Sequence, residues 1–304
     1  MEAQLVNART KIYAILGDPI SHSMSPVIMN ASFRRFGMDC VFLALKCGKK
    51  DADCVMKALR CVDLAGYVFT MPMKEAVGEY LDEWKDEALL TGAVNCVLNK
   101  DGYLTGYNTD SMGFWTAVRE KCDPKRTIRK VFVMGMGGFA KAAAAQAALQ
   151  GVSEIVVANR LWETVFVKGF EEFVKRLRVC CPQVNVQILD WNVRSWEAAL
   201  SDADVVVNAT SNGLNGKGDL REIFPYEAAA EQAIFFDAIY SPLKTDYLSE
   251  AEARGHKIVN GLDLLAHQGT CSFKIWTGMS VSPYVIRRDA LEFMKHNERM
   301  NGKP

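Results

Sequence analysis

The chain has no net charge to offer a polyanion, because its 36 basic and 36 acidic side chains cancel. No block of one sign stands out, so neither a nucleic acid nor a membrane surface is expected as a partner. No apolar run reaches the length of a transmembrane helix. The opening segment, MEAQLVNARTK, does not read as a signal peptide, and a cytoplasmic chain is expected. The nine cysteines include no CxxC pair and the four histidines are scattered. Metal-ligand spacing is therefore missing, no metal is expected, and reduced thiols fit the compartment. Cys40, Cys47, Cys54 and Cys61 recur every seven residues, but strand, turn and helix patterns intervene, which makes the period a coincidence. Internal repeats and low-complexity segments are absent too.

What is there is a chain of 304 residues, 49% of them hydrophobic, enough for two domains with sizeable cores. Arg129 to Arg160 is its most informative stretch, RKVFVMGMGGFAKAAAAQAALQGVSEIVVANR. Val131 to Met134 form a short apolar run suited to a buried parallel strand. Gly135, Gly137 and Gly138 follow at once, and Ala140 stands at the third position of the dinucleotide fingerprint, where Ala is allowed. An Ala-rich helix runs to Gln150, with Gly151 suited to its C′ position. A second apolar run, Ile155 to Val157, leads into Asn159-Arg160. Strand, glycine turn, helix and strand follow one another in the order that the fingerprint requires. Gly135 permits the tight turn, Gly137 lets a pyrophosphate approach the backbone, and the free N–H groups of the helix start face that anion. At the end of the second strand an acidic residue would read the 2′-hydroxyl of NAD. Arg160 stands there instead, a planar donor fork suited to a 2′-phosphate. NADP is favoured and NAD is the alternative.

Before this stretch, Ile12 to Leu16, Val41 to Leu45 and Tyr67 to Thr70 read as strands. Helices are expected from Ser25 to about Phe36, from Lys50 to Arg60, and from near Glu75, giving an α/β domain of its own. Ser25 followed by Pro26 reads as N-cap and N1. Ser23 and Ser25 at a helix start also make a carboxylate cradle, although plain capping needs only Ser25. Lys74 falls at a strand's carboxyl end. The runs around Thr91 to Val97 and Tyr103 to Gly106 flank Asp101-Gly102, a hairpin signal. Asp110 lies at or just before the next helix, where capping alone would explain it. After Arg160 the pattern alternates: a helix from Glu163 to Arg178, a strand from Val184 to Leu189, a helix from Ser195 to Leu200 and a strand from Val205 to Asn208. The polar loop Asn208 to Gly213 follows, then a strand from Ile234 to Ala238, a helix from Lys244 to Arg254 and a strand from Lys257 to Val259. Helices from Asp263 to Trp276 and Pro283 to His296 close the pattern, and Asn297 to Pro304 read as a frayed tail.

Taken together, these segments resemble the shikimate dehydrogenases, including the quinate/shikimate branch. The resemblance covers nearly the whole chain. It rests on Gly17 to Pro26, on Thr70 to Lys74, on Gly92-Ala93-Val94-Asn95 and on Gly106 to Asp110. It continues through Gly135 to Gly138 with Asn159-Arg160, Asn208 to Ser211, Asp237 to Pro242, and Gln268 with Ser272-Phe273 and Trp276-Thr277-Gly278. The family implies an α/β substrate domain from residues 1–112 and 264–304, with helices at the chain end returning to it. A Rossmann-type doubly wound nucleotide domain, 113–263, is inserted between. By the same resemblance Lys74 is the acid/base group and Asp110 its partner. Ser23 and Ser25 bind the substrate carboxylate, and Thr70, Asn95, Asp110 and Gln268 the ring hydroxyls, with Tyr240 near the substrate. Gly135, Gly137, Gly138, Asn159, Arg160, Thr210 and Gly261 hold the cofactor. The implied reaction interconverts shikimate and 3-dehydroshikimate, with quinate as the alternative substrate, in a monomer or homodimer. The chemistry agrees, since oxidising a secondary alcohol needs a hydride acceptor and a base within about 2.6–3.2 Å of the hydroxyl. Four positions depart from the family: Val68 stands where Asn is usual, Met29 where His is common, Asp263 where Gly is common, and Asn212 where a small residue is common. A metabolite sensor on the same scaffold is the reading from another class, and the retained Lys74 and Asp110 argue against it. A methylenetetrahydrofolate-type dehydrogenase is a third reading, and the Ser23/Ser25 pair argues against that.

Overall fold

The computed structural model describes residues 6–21, 23–62, 64–70, 72–218 and 220–300. The chain begins with β1 (Lys11–Gly17), α1 (Ser25–Arg35), β2 (Cys40–Lys46), α2 (Ala52–Cys61) and β3 (Leu64–Phe69). There follow β4 (Glu83–Trp84), α3 (Asp86–Thr91), β5 (Cys96–Lys100), β6 (Tyr103–Tyr107) and α4 (Thr109–Lys121). Next come β7 (Lys130–Met134), α5 (Gly138–Leu149), β8 (Glu154–Asn159), α6 (Thr164–Cys180), β9 (Asn185–Asp190) and α7 (Val193–Leu200). β10 (Val205–Asn208), α8 (Leu220–Ile223), β11 (Ile234–Asp237), α9 (Asp246–Ala253) and β12 (Lys257–Val259) precede the long helices α10 (Gly261–Thr277) and α11 (Pro283–Met300). Two compact units result: residues up to Thr109 with those from Gln268 onward, and Asp110–His267. Among the described residues, no helix is long and apolar enough to cross a membrane.

The first unit is a mixed sheet in the order β2-β1-β3-β5-β6-β4. β1 pairs in parallel with β2 and β3, whereas β5 runs antiparallel to β3 and β6. Alternation along each strand sends Ala14, Leu16, Tyr67 and Phe69 to one face, where they pack with Met56, Leu59, Met73 and Val77. On the other face Tyr13 and Phe42 meet the Trp276 ring of α10, at 5.1 and 5.9 Å between centroids. Gly66 makes room for that indole: a Cβ there would lie 2.4 Å from Trp276 Nε1, which donates to the Val97 carbonyl at 2.9 Å. Helix α11 joins the same unit, with Arg35 of α1 bonded to Asp289 at 3.0 Å. Asp101 and Gly102 both take positive φ (53° and 85°), a type I′ turn joining β5 to β6.

Two expectations fail in this unit. No α-helix starts near Glu75. Residues 72–77 form turns and only a 3-10 turn, Gly78–Tyr80, follows. Met73 and Val77 are fully buried, and Gly78 is seated so close to the Trp84 ring that a Cβ would lie 2.2 Å from it. The chain must then return to pair β4 with β6, which leaves no length for a helix. Thr91 closes α3 rather than opening a strand. Its hydroxyl donates back to the Glu87 carbonyl at 2.8 Å, and Gly92 caps the helix at φ +69°. At the chain end, α11 runs on to Met300, past the expected end at His296, and residues 301–304 lie outside the described residues.

The second unit is an all-parallel sheet in the order β12-β11-β10-β7-β8-β9. Counted from β7 this is the 3-2-1-4-5-6 order of dinucleotide-binding folds, with the switch point between β7 and β10. Val131 to Met134 and Val205 to Val207 are all at 0% exposure, as strands covered on both faces require. Phe235 faces Trp196, Leu248 and Tyr247, and its neighbour Phe236 packs on Phe114 and Phe139. Small side chains let α5 lie close on the sheet: Ala140 and Ala143 to Ala145 are all fully buried.

Candidate active site

The nucleotide features of the second unit converge on one cavity of about 500 Å³. It opens at the carboxyl ends of β7, β8 and β10, at the switch point where such sheets bind ligands. Gly135, Gly137, Asn159, Arg160 and Thr210 line it, as do Glu163, Phe166, Trp191 and Lys217. Gly135 has φ +105°, and a Cβ there would lie 3.0 Å from the Ala209 carbonyl oxygen, so only glycine suits the turn. A Cβ on Gly137 or Gly138 would meet no heavy atom within 4 Å. That open space, at the start of α5 where the first N–H groups have no helical acceptor, fits a pyrophosphate.

Arg160 is already engaged. Its Nη1 lies 3.5 Å from Glu163 Oε1, and its guanidinium sits 5.8 Å from the centre of the Trp191 ring. Asn159 is buried and donates from Nδ2 to the Arg160 carbonyl at 3.3 Å. Thr210 spends its N–H and hydroxyl on Asn208 Oδ1, at 3.1 and 2.7 Å, and its oxygen accepts from Asn212 N–H. Asn208 in turn donates to the Asn212 carbonyl and to Asp237 Oδ2. Asp237 is fully buried and also accepts from Thr245 Oγ1 at 2.7 Å and Ile239 N–H at 3.0 Å. Burial pushes its carboxyl up to about 6, against the pull of these donors. The network ties the loop after β10, which lines the cavity, to the end of β11 and the loop that follows it.

Gly138 and Gly261 lie outside the cavity lining. A Cβ on Gly261 would be 2.2 Å from the Ala238 carbonyl oxygen, so glycine is needed for that backbone crossing in any case. Asp263 accepts from Asn260 N–H at 3.2 Å, while Asn260 Oδ1 accepts from Leu262 and Asp263 N–H. Its carboxylate thus completes a reciprocal cap on α10. Tyr240 follows β11 in the same unit, and burial raises its hydroxyl pKa.

The first unit gathers the other polar residues. Asn95 Nδ2 donates to Thr109 Oγ1 at 2.9 Å and Asn95 Oδ1 accepts from Thr109 N–H at 2.6 Å. Thr109 Oγ1 also lies 3.4 Å from Gln268 Oε1 and 3.2 Å from Ser272 Oγ. All four side chains are buried. Thr70 and Lys74 are half-buried beside this node. The Asn95 carbonyl accepts from Phe69 N–H, Thr70 N–H donates to the Leu16 carbonyl, and the Lys74 carbonyl accepts from Val94 N–H at 2.9 Å. The ends of β1 and β3 are thereby stitched to the strand-entry turn that carries Asn95. Val68, beside Ile15 and Cys96 in register, is buried.

Ser25 is not the N-cap expected of it. Met24 occupies that position without a side-chain bond, Ser25 is the first helical residue and Pro26 the second. The capping chemistry sits one residue before the N-cap, where Ser23 Oγ accepts from Ser25 N–H at 3.3 Å. Asp110 is the second residue of α4 and the first of the second unit. It follows Thr109 directly in the chain, and a carboxylate in a first helical turn is favoured by the dipole.

Lys217, Phe166 and Trp191 were not singled out from the sequence. Trp191 arrives from the end of β9 and Lys217 from a loop with positive φ at Gly213, Gly216 and Gly218. That glycine cluster after a strand end is the signal that could have found the loop. Among the described residues, no group of three or more His, Cys, Asp or Glu could hold a metal ion.

The family model for the shikimate dehydrogenase substrate binding domain matches residues 15–97. Over 284 residues, 93% of this chain and 97% of its relative, the sequence is 32% identical to the shikimate dehydrogenase (NADP(+)) of Alkaliphilus metalliredigens. Among solved structures, shikimate 5-dehydrogenase from Listeria monocytogenes, in complex with shikimate and NAD, matches with a TM-score of 0.87 and 32% identity, over 94% of this chain and 98% of that one. Quinate dehydrogenase from Corynebacterium glutamicum, in complex with NAD, matches with a TM-score of 0.80 and 25% identity, over 93% and 99% of the two chains.

Proposed function

Because the chain belongs to the shikimate dehydrogenase family of NAD(P)-dependent oxidoreductases, we propose that it interconverts shikimate and 3-dehydroshikimate, with NADP(H) preferred over NAD(H). The observation that carries the reading is the buried Asn95–Thr109–Gln268 node beside half-buried Thr70 and Lys74. Such a node costs free energy in a core unless its hydrogen bonds are well satisfied, and its carboxamides and hydroxyls match a polyhydroxylated ring. When bound, the nicotinamide supplies the hydride acceptor. Neutral Lys74 takes the proton from the ring hydroxyl at Nζ, and its ammonium returns that proton in the reverse direction. Asp110 accepts from the same hydroxyl and orients the lysine. Ser23 and Ser25 bind the carboxylate, Thr70, Asn95, Asp110 and Gln268 bind ring hydroxyls, and Tyr240 borders the substrate. Gly135, Gly137 and Gly138 receive the pyrophosphate, Asn159 and Arg160 the adenosine end, and Thr210 and Gly261 the remainder of the cofactor. The substrate domain is residues 1–112 with 264–304 and the nucleotide domain is 113–263. A cytoplasmic monomer or homodimer completes the reading.

Quinate is the second substrate reading, favoured by Val68, whose apolar side chain stands where the family usually has a polar one. Nicotinamide absorbance, followed with shikimate and with quinate against NADP and NAD, separates the two. Turnover of shikimate with NADP supports the proposal. Preference for quinate replaces the substrate. Cofactor binding with no turnover of either acid favours a sensor.

A further inference from the structure

We infer that Lys217, in the loop between β10 and α8, is the residue that selects the 2′-phosphorylated cofactor, with Glu163 opposing it. This rests on the nucleotide-binding reading of the same cavity. The lining carries two cations, Arg160 and Lys217, and one carboxylate, Glu163. Arg160 does not stand ready for a phosphate, because its guanidinium is paired with Glu163 and lies over Trp191. A 2′-phosphate brings close to two negative charges. With Arg160 alone it would meet a guanidinium whose charge Glu163 already offsets. Lys217 restores a net positive lining.

The loop presents this side chain from a hydrogen-bonded frame. Asn208 Nδ2 donates to the Asn212 carbonyl, Gly213 N–H to the Lys217 carbonyl at 2.6 Å, and Asn215 N–H to the Ser241 carbonyl. Asn212 Oδ1 accepts from Leu220 N–H at 3.1 Å, closing the far end. Lys217 itself is exposed and keeps its ammonium in water, as a compact charge answering a phosphate does. Glu163 has the opposite preference: its carboxylate accepts from a 2′-hydroxyl and repels a 2′-phosphate. The two residues pull the same position of the cofactor in opposite directions.

The test is isothermal titration of the full chain and of Lys217→Gln and Glu163→Gln with NADPH and NADH. Adenosine 2′,5′-bisphosphate and adenosine 5′-monophosphate serve as fragments lacking the nicotinamide. Lys217→Gln should lower the NADPH-to-NADH affinity ratio about tenfold, the size expected for one charge-assisted hydrogen bond. The ratio for the two fragments should fall in parallel, and Glu163→Gln should raise both ratios. If both cofactors bind and Lys217→Gln leaves the ratio at its starting value, the selector role is overturned while the nucleotide reading stands. If the unmodified chain binds neither cofactor, the nucleotide reading falls and this inference with it.

Discussion

The second unit makes its cavity from backbone and the first makes its polar node from side chains. In the second, Gly135 turns at φ +105°, α5 begins beside open space at Gly137 and Gly138, and the strand ends bring Asn159 and Arg160 alongside. Nearly all of this lies in one continuous stretch of chain. In the first, Asn95, Thr109, Gln268 and Ser272 come from the entry of β5, the start of α4 and the middle of α10, with Thr109 and Gln268 standing 159 positions apart. A backbone cradle tolerates changes of side chain but not of glycine. A side-chain node tolerates neither the loss of a donor nor of an acceptor, because each leaves a partner buried and unpaired.

Substitutions that separate chemistry from cradle sharpen the contrast. Lys74→Ala should cut turnover about a thousandfold, the mid-range loss for a general acid/base, while NADPH still binds by titration. An equal loss of cofactor affinity would show that the two units do not divide the work in this way. Asp237 makes a pH test confined to the second unit. Its folded pKa, raised to about 6 by burial, exceeds its unfolded value, so the folded state binds the extra proton. Its contribution to stability is present at low pH and is lost as pH rises through about 6. The loss is on the order of 2 kcal/mol between pH 4 and pH 7, read from urea unfolding. Asp237→Asn should flatten that slope, and an unchanged slope would remove Asp237 as its source.

Two glycine substitutions compare the units directly. Gly135→Ala combines a left-handed φ with a clash against Ala209 and should cost about 2–3 kcal/mol, together with a loss of NADPH affinity. Gly66→Ala has no φ to strain and meets only the Trp276 ring, so about 1–2 kcal/mol is expected, with NADPH affinity kept and the apparent affinity for shikimate reduced. Denaturant midpoints and titrations on both variants check this pair. If Gly66→Ala weakened NADPH as much as Gly135→Ala did, the distinction between the units would collapse.

Legibility followed the same divide. In the second unit, the inner strands β7, β8, β10 and β11 lie where apolar runs place them, because strands covered on both faces must be almost continuously apolar, whereas the edge strand β9 is exposed or half-buried along its length. The Asp101-Gly102 hairpin was equally legible, since two adjacent positive φ values favour that dipeptide. Where tertiary packing overrode local pattern, reading failed. Residues after Lys74 carry a helical pattern, yet burial of Met73 and Val77 and the seat of Gly78 on Trp84 leave only turns. Ser25 has the sequence of an N-cap, yet the helix begins one residue too early for it to serve. Asp263, a departure from the residue common in the family, completes the cap on α10, a role that its position in the sequence did not announce.

Alone, the sequence determined the α/β class, the parallel sheet with its glycine turn, and which polar residues stand at strand ends, because periodicity and turn chemistry act over a few neighbours. Only the tertiary structure decided that Asn95 meets Gln268 through Thr109, that Asp237 is buried under the loops it holds, and that Trp191 and Lys217 line one cavity with Arg160. Those meetings join segments far apart in the chain, and the packing of whole strands and helices sets them, which no local pattern encodes.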